Sequence, residues 1–485
     1  IKNSIFCPLT VVGDDDQSLY RFRGSTVQLF RDFRRNFQTL FNIEPKLLFL
    51  VTNYRSSESI ISFYNYFLKL DPNYLKNARV NEKEFVENKD YSESPSNFPV
   101  LGMFRDDLKT LAKDLSEFIN EVFHGSGRYI EDNPIKYRLK ANPNGDIGDC
   151  VLLMASPREF SSWRKIRLPA YLREFFRDKG VSVFNPRGEE ISSILNFQRL
   201  TGLILICIDN DRRIQKGLHL YKNLDDTFDK WRKKAEDYIE NLDDKNLNNY
   251  IKSWNNRNSS KNESWEIPLL DVVYDIIHWF GEFQDNPQDQ LYLELLTRTI
   301  SESSTFSRYE SRIVKLEEKT DLDSIKEIYW NIFVPIASGE IYLNEDLIED
   351  FPHNQFNILS IHQSKGLEFP IVIVDVGSEF ERENQKQAFK RFPNREDLGL
   401  TYILEQEFRN YTPIDGFLEN REDPVERAFD DLIRKFYVGY SRAQEVLLLV
   451  GLTSNIKKKI PNIPLGWNRE KEWFWENLDK ILLMI

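Results

Sequence analysis

Cysteine is scarce in this chain. There are three in 485 residues, Cys7, Cys150 and Cys207, and none forms a C-x-x-C pair. That argues against a disulfide framework and against a zinc–thiolate site, and it suits a reducing, cytoplasmic compartment. Histidine is also sparse: His124, His219, His278, His353 and His362 are too scattered for metal-ligand spacing, and no metal site is expected. Long apolar runs are missing. The longest, around Leu203–Ile208, falls far short of the ~18 residues that span a bilayer, so no membrane partner is expected. Basic residues are in the minority, with 65 Lys and Arg against 77 Asp and Glu and a formal net charge of -12. That balance argues against a protein that coats nucleic acid non-specifically. It leaves a local DNA-binding groove open, because affinity depends on where the cations sit. A starting methionine is missing too: the chain opens at Ile1 and runs directly into an apolar segment, as expected of a fragment. The phosphate-binding pattern G-x-x-x-x-G-K-[ST] occurs nowhere.

What the chain has is aromatic bulk, 35 Phe and 21 Tyr, and enough length for two or three domains. Residues 9–13 and 47–51 are short apolar runs of strand type, each followed by a polar loop and an apolar-periodic helix. The first helix has Ser25 and Gln28 as a candidate capping box. Residues 81–99 and 131–149 are polar and turn-rich and are expected to be exposed loops. A strand over 151–155, a helix over 158–179 and a strand over 181–184 make a β-α-β unit, which implies a parallel sheet. Residues 210–350 change to helical periodicity at 231–242, 268–283, 287–304 and 322–337, broken by an Asn/Lys/Ser-rich stretch at 243–264. The α/β pattern returns with strands at 356–361 and 370–376, a helix at 424–443 and a strand at 446–452. The continuous apolar character of 370–376 suits a strand buried on both faces.

Four polar clusters carry chemistry, each expected at the carboxyl end of a strand, where open α/β sheets bind ligands. In Val12-Gly13-Asp14-Asp15-Asp16-Gln17-Ser18-Leu19-Tyr20-Arg21-Phe22-Arg23-Gly24, Gln17 can orient a water or donate to a phosphate. Tyr20 and Phe22, interleaved with Arg21 and Arg23, fit stacking on a single strand, worth ~1–3 kcal/mol per base; the alternative is an acidic turn with core aromatics. In Asn53-Tyr54-Arg55-Ser56, the arginine can stabilise a transferring phosphoryl group and the tyrosine offers a flat face to a purine. In Ser360-Ile361-His362-Gln363-Ser364-Lys365-Gly366-Leu367-Glu368-Phe369-Pro370, Glu368 can accept a ribose hydroxyl and His362 can touch a nucleic-acid backbone. In Phe436-Tyr437-Val438-Gly439-Tyr440-Ser441-Arg442-Ala443, Arg442 stands late in a helix. Taken alone, the second and fourth clusters read more simply as a solvated arginine and a helix-terminal one.

Their joint order changes the weighing. The stretches V-G-D-x-D-Q-S-x-Y-R-F-R-G, N-Y-R-S, H-Q-x-K-G-L-E-F-P and F-Y-V-x-x-S-R-A resemble motifs III, IV, V and VI of superfamily 1 DNA helicases of the UvrD/Rep/PcrA type. Ser441 stands where the family usually has threonine.

The resemblance implies an α/β fold: a RecA-like motor domain, with a parallel sheet and helices on both faces, interrupted by an inserted, mainly helical subdomain. Residues 1–42 would end a first motor domain. Residues 43–205 and 351–485 would form the second, and 206–350 the insertion. It also implies an ATP-dependent 3′–5′ DNA helicase using ATP and Mg2+. Gln17, Arg55 and Arg442 would act on the γ-phosphate, Tyr54 would stack on adenine and Glu368 would bind ribose. Tyr20, Phe22, Arg23 and His362 would touch single-stranded DNA. Partners would be single-stranded DNA, duplex junctions and the remainder of the first motor domain. No D-E-x-x-D precedes Asp14, so the phosphate cradle and the Mg2+ carboxylate are expected in that remainder, and the chain alone is expected to be inactive. Two other readings stay open: a degenerate, non-catalytic DNA-binding helicase relative, and the motor part of a helicase–nuclease.

Overall fold

Apolar residues run without interruption through 150–154, 371–374 and 446–450, and both alternating sets are buried. A strand of that kind is stable only inside a sheet covered on both faces. The computed structural model describes residues 9–19, 27–80, 82–88, 98–132, 134–161, 165–259, 264–316, 323–343, 351–378, 390–397, 404, 423–475 and 481–485. Within them the strands β1 (Leu101–Arg105), β2 (Cys150–Met154), β3 (Ser182–Phe184), β4 (Gln355–Ser360), β5 (Phe369–Gly377), β6 (Ala443–Leu452) and β7 (Leu483–Met484) form one seven-stranded sheet. The spatial order is β7-β1-β6-β5-β2-β4-β3. Pairing is parallel, with Ile371 opposite Cys150, Asn357 opposite Val151 and Leu448 opposite Leu101. This is the RecA-like α/β architecture that the sequence resemblance implies.

On one face, Leu152, Ile358, Ile373 and Leu448 pack with Leu115 and Ile119 of the helix Leu108–Phe123 and with Leu172 and Phe176 of the helix Leu168–Arg177. The intervening residues Val151, Leu153, Val372, Val374, Leu447 and Leu449 are equally buried, and the helix Pro424–Tyr440 contacts β5 and β6. That helix meets the helix Glu58–Lys69 through aromatic edges: Phe63 and Phe67 each lie 5.1 Å from Tyr440, and Tyr64 lies 5.4 Å from Tyr437. Arg469, nearly inaccessible, ties the same helix to the segment before Pro72–Asn77. It bonds Asp430 at 2.6 Å, Asp71 at 3.0 Å, and Glu426. A buried arginine is tolerated there because its donors find carboxylates on three sides.

The chain divides into two compact units, Ile1–Val183 with His353–Ile485, and Phe184–Pro352. The second is built mainly from the helices Leu195–Ile208, Lys222–Leu242, Lys245–Ser259, Leu269–Ile277 and Pro287–Ser304. A broken helix follows, passing through a π turn at Tyr329–Phe333. Phe197, Trp231, Trp254, Leu296 and Phe333 lie in one apolar core. Inside it Arg232 donates to Leu205 O at 3.0 Å, Gln215 Oε1 at 3.0 Å and the Tyr329 hydroxyl at 2.9 Å, and that hydroxyl donates to Asp209 at 3.1 Å.

Several local expectations are corrected. Residues 9–13 form no strand, and Leu9 and Val12 are exposed. Residues 47–51 form no strand either; Val51 O accepts from Glu87 N–H at 2.8 Å, and Thr52–Asn53 joins a two-residue parallel pairing with Glu87–Asn88. Apolar β-type sequence without an adjacent strand has no ladder to complete. The helix expected over 158–179 is shortened to Leu168–Arg177, preceded by a bridge between Phe160 and Ile166. The stretch 131–149 is not all loop: Arg128–Asp132 and Ile135–Leu139 pair as an antiparallel hairpin. Within the Asn-rich stretch 243–264, the described residues 245–259 do not break the helical unit. Leu247, Tyr250, Ile251 and Trp254 recur at helical spacing, and Lys245–Ser259 is a helix that buries Leu247 and Trp254. The helical unit begins at Phe184, ahead of residue 206, because the apolar helix Leu195–Ile208 packs against Lys222–Leu242. The Ser25 capping position lies outside the described residues.

That last packing is close. A Cβ added at Gly202 would stand 2.0 Å from the Trp231 carbonyl oxygen. Gly202→Ala should therefore destabilise the helical unit by ~1–3 kcal/mol, the usual range for overpacking. Urea unfolding of the whole chain checks it, and a midpoint equal to wild type would contradict the close approach.

Candidate functional site

Helical and strand segments far apart in sequence meet at the amino-terminal edge of β5 and β6. Asn53 starts the assembly. Its Oδ1 accepts from the backbone N–H of Arg55 at 2.7 Å and of Ser56 at 2.9 Å, and its Nδ2 donates to the Tyr64 hydroxyl at 3.0 Å. This side-chain turn fixes the backbone that carries Arg55. Ser56 Oγ then donates to Ala443 O at 2.6 Å, and Ser57 N–H donates to Gln444 O at 2.9 Å. Phe369 N–H donates to Arg442 O at 3.0 Å. Three of the four clusters are thereby stitched to one another through main-chain groups.

The two arginines converge on Ser441. Arg55 Nη1 donates to the Ser441 carbonyl at 3.2 Å, and Arg442 Nη2 donates to the Ser441 hydroxyl at 3.0 Å. Arg442 is buried. Its Nε donates to Val438 O at 3.0 Å and its Nη1 to Leu367 O at 3.1 Å. Burial, followed by the like charge of Arg55, lowers its pKa to about 10. It stays protonated at neutral pH, so two cations are held side by side. Arg55 also donates through Nε to Glu368 Oε2 at 2.5 Å. That bond holds the Glu368 carboxyl below its ordinary range, with Gln444 adding a second donor at 3.0 Å. Burial lowers the pKa of Lys365, and the neighbouring Arg442 charge acts in the same direction.

Gln17 enters from the 3-10 turn Asp15–Gln17. Its Nε2 donates to Asp14 Oδ2 at 2.6 Å, and its Oε1 accepts from Arg442 Nη2 at 3.1 Å. The turn itself is anchored by charge. Lys83 Nζ reaches Asp14 and Asp15 at 2.5 Å and Asp16 at 2.7 Å, and Arg79 pairs with Asp16 at 3.0 Å. Burial would raise the Asp16 pKa, but Lys83 and Arg79 hold it below the ordinary value. Arg434 donates to Asp15 O at 3.1 Å from the helix Pro424–Tyr440. The charge of the three adjacent carboxylates is thus largely offset by an ammonium and a guanidinium. Their donor set does not fit Mg2+, because Lys83 occupies all three.

Gln17, Arg55, Glu368 and Arg442 therefore stand together. Tyr54 precedes Arg55 in sequence and is 65% exposed. The expectation that every cluster sits at a strand's carboxyl end is corrected. Glu368 and Arg442 immediately precede β5 and β6, at the amino edge, and Phe369 pairs with Ala443 there. His362 is on the other side: Ile361 N–H donates to Met154 O at 3.0 Å, at the carboxyl ends of β2 and β4. The segment 361–368 crosses between the two edges through successive turns, and Gly366 takes φ +88° to make the last of them. Tyr20, Phe22 and Arg23 lie outside the described residues. Sequence reasoning had assigned no role to Asn53, Lys83, Ser441 or Gln444. Asn53 was legible as a turn former; Lys83 and Gln444 carry no local signal, since their partners are remote in sequence.

Comparison with known proteins identifies the family. A family model described as the UvrD-like helicase C-terminal domain matches residues 103–454, and one described as the UvrD/REP helicase N-terminal domain matches residues 2–38. An ATP-dependent helicase/nuclease subunit from Clostridium botulinum (strain 657 / Type Ba4) is 22% identical over 533 residues, covering 93% of this chain and 39% of its own length. The protein of the same name from Clostridium novyi (strain NT) is 22% identical over 513 residues, covering 92% of this chain and 38% of its own. The chain thus spans about two fifths of the length of these curated relatives. Since the first family model alone covers well over half of the sequence, the chain belongs to the UvrD-like helicase family.

Proposed function

We propose that this chain is the arginine-bearing half of an ATP-dependent DNA helicase that moves 3′ to 5′ on single-stranded DNA. The observation that carries the reading is the meeting of Arg55 and Arg442 on Ser441. Two guanidinium groups held against each other repel, and a polyanion placed between them relieves that repulsion. A triphosphate has the charge to do so. Glu368 at the same edge supplies the acceptor for a sugar hydroxyl, Tyr54 an aromatic ring for the base, and Gln17 an amide beside Arg442. Such arginines raise phosphoryl-transfer rates by ~10³–10⁵ when they neutralise charge developing on the phosphoryl oxygens. The phosphate cradle, with the Mg2+ that accompanies ATP, would come from the remainder of the first motor domain. Hydrolysis would let the two lobes separate, and alternating grip on stacked bases would move the motor. DNA would be held by Tyr20, Phe22 and Arg23, with His362 alongside. A cytoplasmic location follows from DNA as the substrate; among the described residues no helix is long and apolar enough to cross a membrane.

A second reading, the motor part of a helicase–nuclease, is favoured by the names of the relatives. It leaves the roles above unchanged.

Arg442→Ala in the full-length protein should lower DNA-stimulated ATP turnover by ~10³-fold or more while sparing DNA binding. Arg442→Lys should rescue little, because a lysine cannot reproduce the forked donors. Loss of DNA binding with turnover intact would refute the assignment. Phe22→Ala should weaken single-strand affinity by ~1–3 kcal/mol in a fluorescence anisotropy titration, with unchanged affinity marking Phe22 as a core residue.

A further inference from the structure

Glu368 is shared between two partners through its two oxygens. Oε2 accepts from Arg55 Nε at 2.5 Å, and Oε1 accepts from Gln444 Nε2 at 3.0 Å. Gln444 is half-buried near the start of β6. Its backbone and side chain do separate jobs. The carbonyl accepts from Ser57 N–H at 2.9 Å and belongs to the scaffold, while the amide addresses Glu368. The glutamate itself is well exposed, its side chain retaining 47% of its accessible surface. An exposed glutamate samples several rotamers, and each bond that removes one of them presents the carboxylate in a defined direction. With Oε1 fixed by Gln444, Oε2 is aimed at Arg55, the cation whose charge also bears on Arg442.

We propose that Gln444 is a positioning residue for nucleotide use: its amide fixes one oxygen of Glu368, so that the other is presented to Arg55 and, when nucleotide enters, to a sugar hydroxyl. The inference rests on the reading of this edge as the nucleotide-binding face. A nucleotide entering there competes with the Glu368–Arg55 pair for both members. The sugar takes the carboxylate and the phosphates take the guanidinium, so one ligand replaces an ion pair with two separate contacts. Gln444 keeps the carboxylate in place through that exchange. Because Gln444 touches neither the phosphates nor the base in this arrangement, its loss falls on nucleotide capture and not on the chemical step.

The test uses the full-length protein and DNA-stimulated ATP hydrolysis. Gln444→Leu keeps the volume and the backbone bond to Ser57 but removes the donor. The KM for ATP should rise about five- to tenfold, the equivalent of one ordinary hydrogen bond at this exposed carboxylate, with kcat within about twofold of wild type. The acid limb of kcat/KM should move to higher pH, since the carboxylate loses a donor that favours its charged form. Gln444→Lys, a donor of similar reach, should restore both. Gln444→Glu, which keeps the shape and sets like charge against Glu368, should raise KM further and serves if the leucine variant folds poorly. A wild-type KM in the Leu or Glu variant, or a fall in kcat at constant KM, would overturn the positioning role while leaving the helicase reading intact. Absence of DNA-stimulated hydrolysis in the wild-type protein would overturn both.

Discussion

Two guanidinium groups donate to one serine, and much of the α/β unit is arranged to make that possible. Arg442 hangs from the end of the helix Pro424–Tyr440, fixed by the carbonyls of Val438 and Leu367. Arg55 rides on a turn held by Asn53 and tied to Ala443. Aromatic contacts between the helices Glu58–Lys69 and Pro424–Tyr440 set the distance between these two supports. The Arg469 cluster, with Asp71 and Asp430, pins one helix to the segment before the next. Burying a guanidinium beside another is unfavourable unless scaffolding over-determines it. The number of main-chain carbonyls devoted to Arg442 is the sign of that scaffolding.

The same constraint explains how the residues divide over the sheet. The parallel strands β5 and β6 begin side by side, and Glu368 and Arg442 stand immediately before their first residues. His362 is left at the carboxyl edge, joined to Glu368 by the turns of 361–368. Ser364 and Ile361 of this segment are buried. The edge that carries cations and the edge that carries His362 are thus joined by one short run of chain.

Legibility in the sequence followed burial and locality. The strands at 150–154, 355–360, 369–377 and 443–452 and the helix 424–440 were legible because unbroken apolar runs and amphipathic periodicity are direct consequences of two-sided and one-sided burial. The strand Leu101–Arg105 and the helix Leu108–Phe123 were passed over, although the latter's spacing is plain and Asp107 caps it through Lys109 and Thr110. Composition misled at 243–264, where asparagines hid the spacing of Leu247, Tyr250, Ile251 and Trp254. It misled in the other direction at 47–51, where β-type residues form no strand and the parallel pairing with Glu87–Asn88 is confined to Thr52–Asn53. Within the site, Gln17, Arg55, Glu368 and Arg442 were reached through ordered motifs, and the structure brings them together. The edge of the sheet on which they gather was misjudged, because the rule for open α/β folds concerns the carboxyl ends of strands. Gln444 and Lys83 are defined only by partners that the fold brings from distant segments.

The central claim is that Arg55 and Arg442 address one triphosphate. The most direct measurement is a structure of the full-length protein bound to a non-hydrolysable ATP analogue with Mg2+. The account predicts both guanidinium groups within hydrogen-bonding distance of the terminal phosphate, with Arg55 released from Glu368 and Glu368 turned to the sugar. A triphosphate bound elsewhere, with Arg55 still on Glu368 and Arg442 making no phosphate contact, would contradict it.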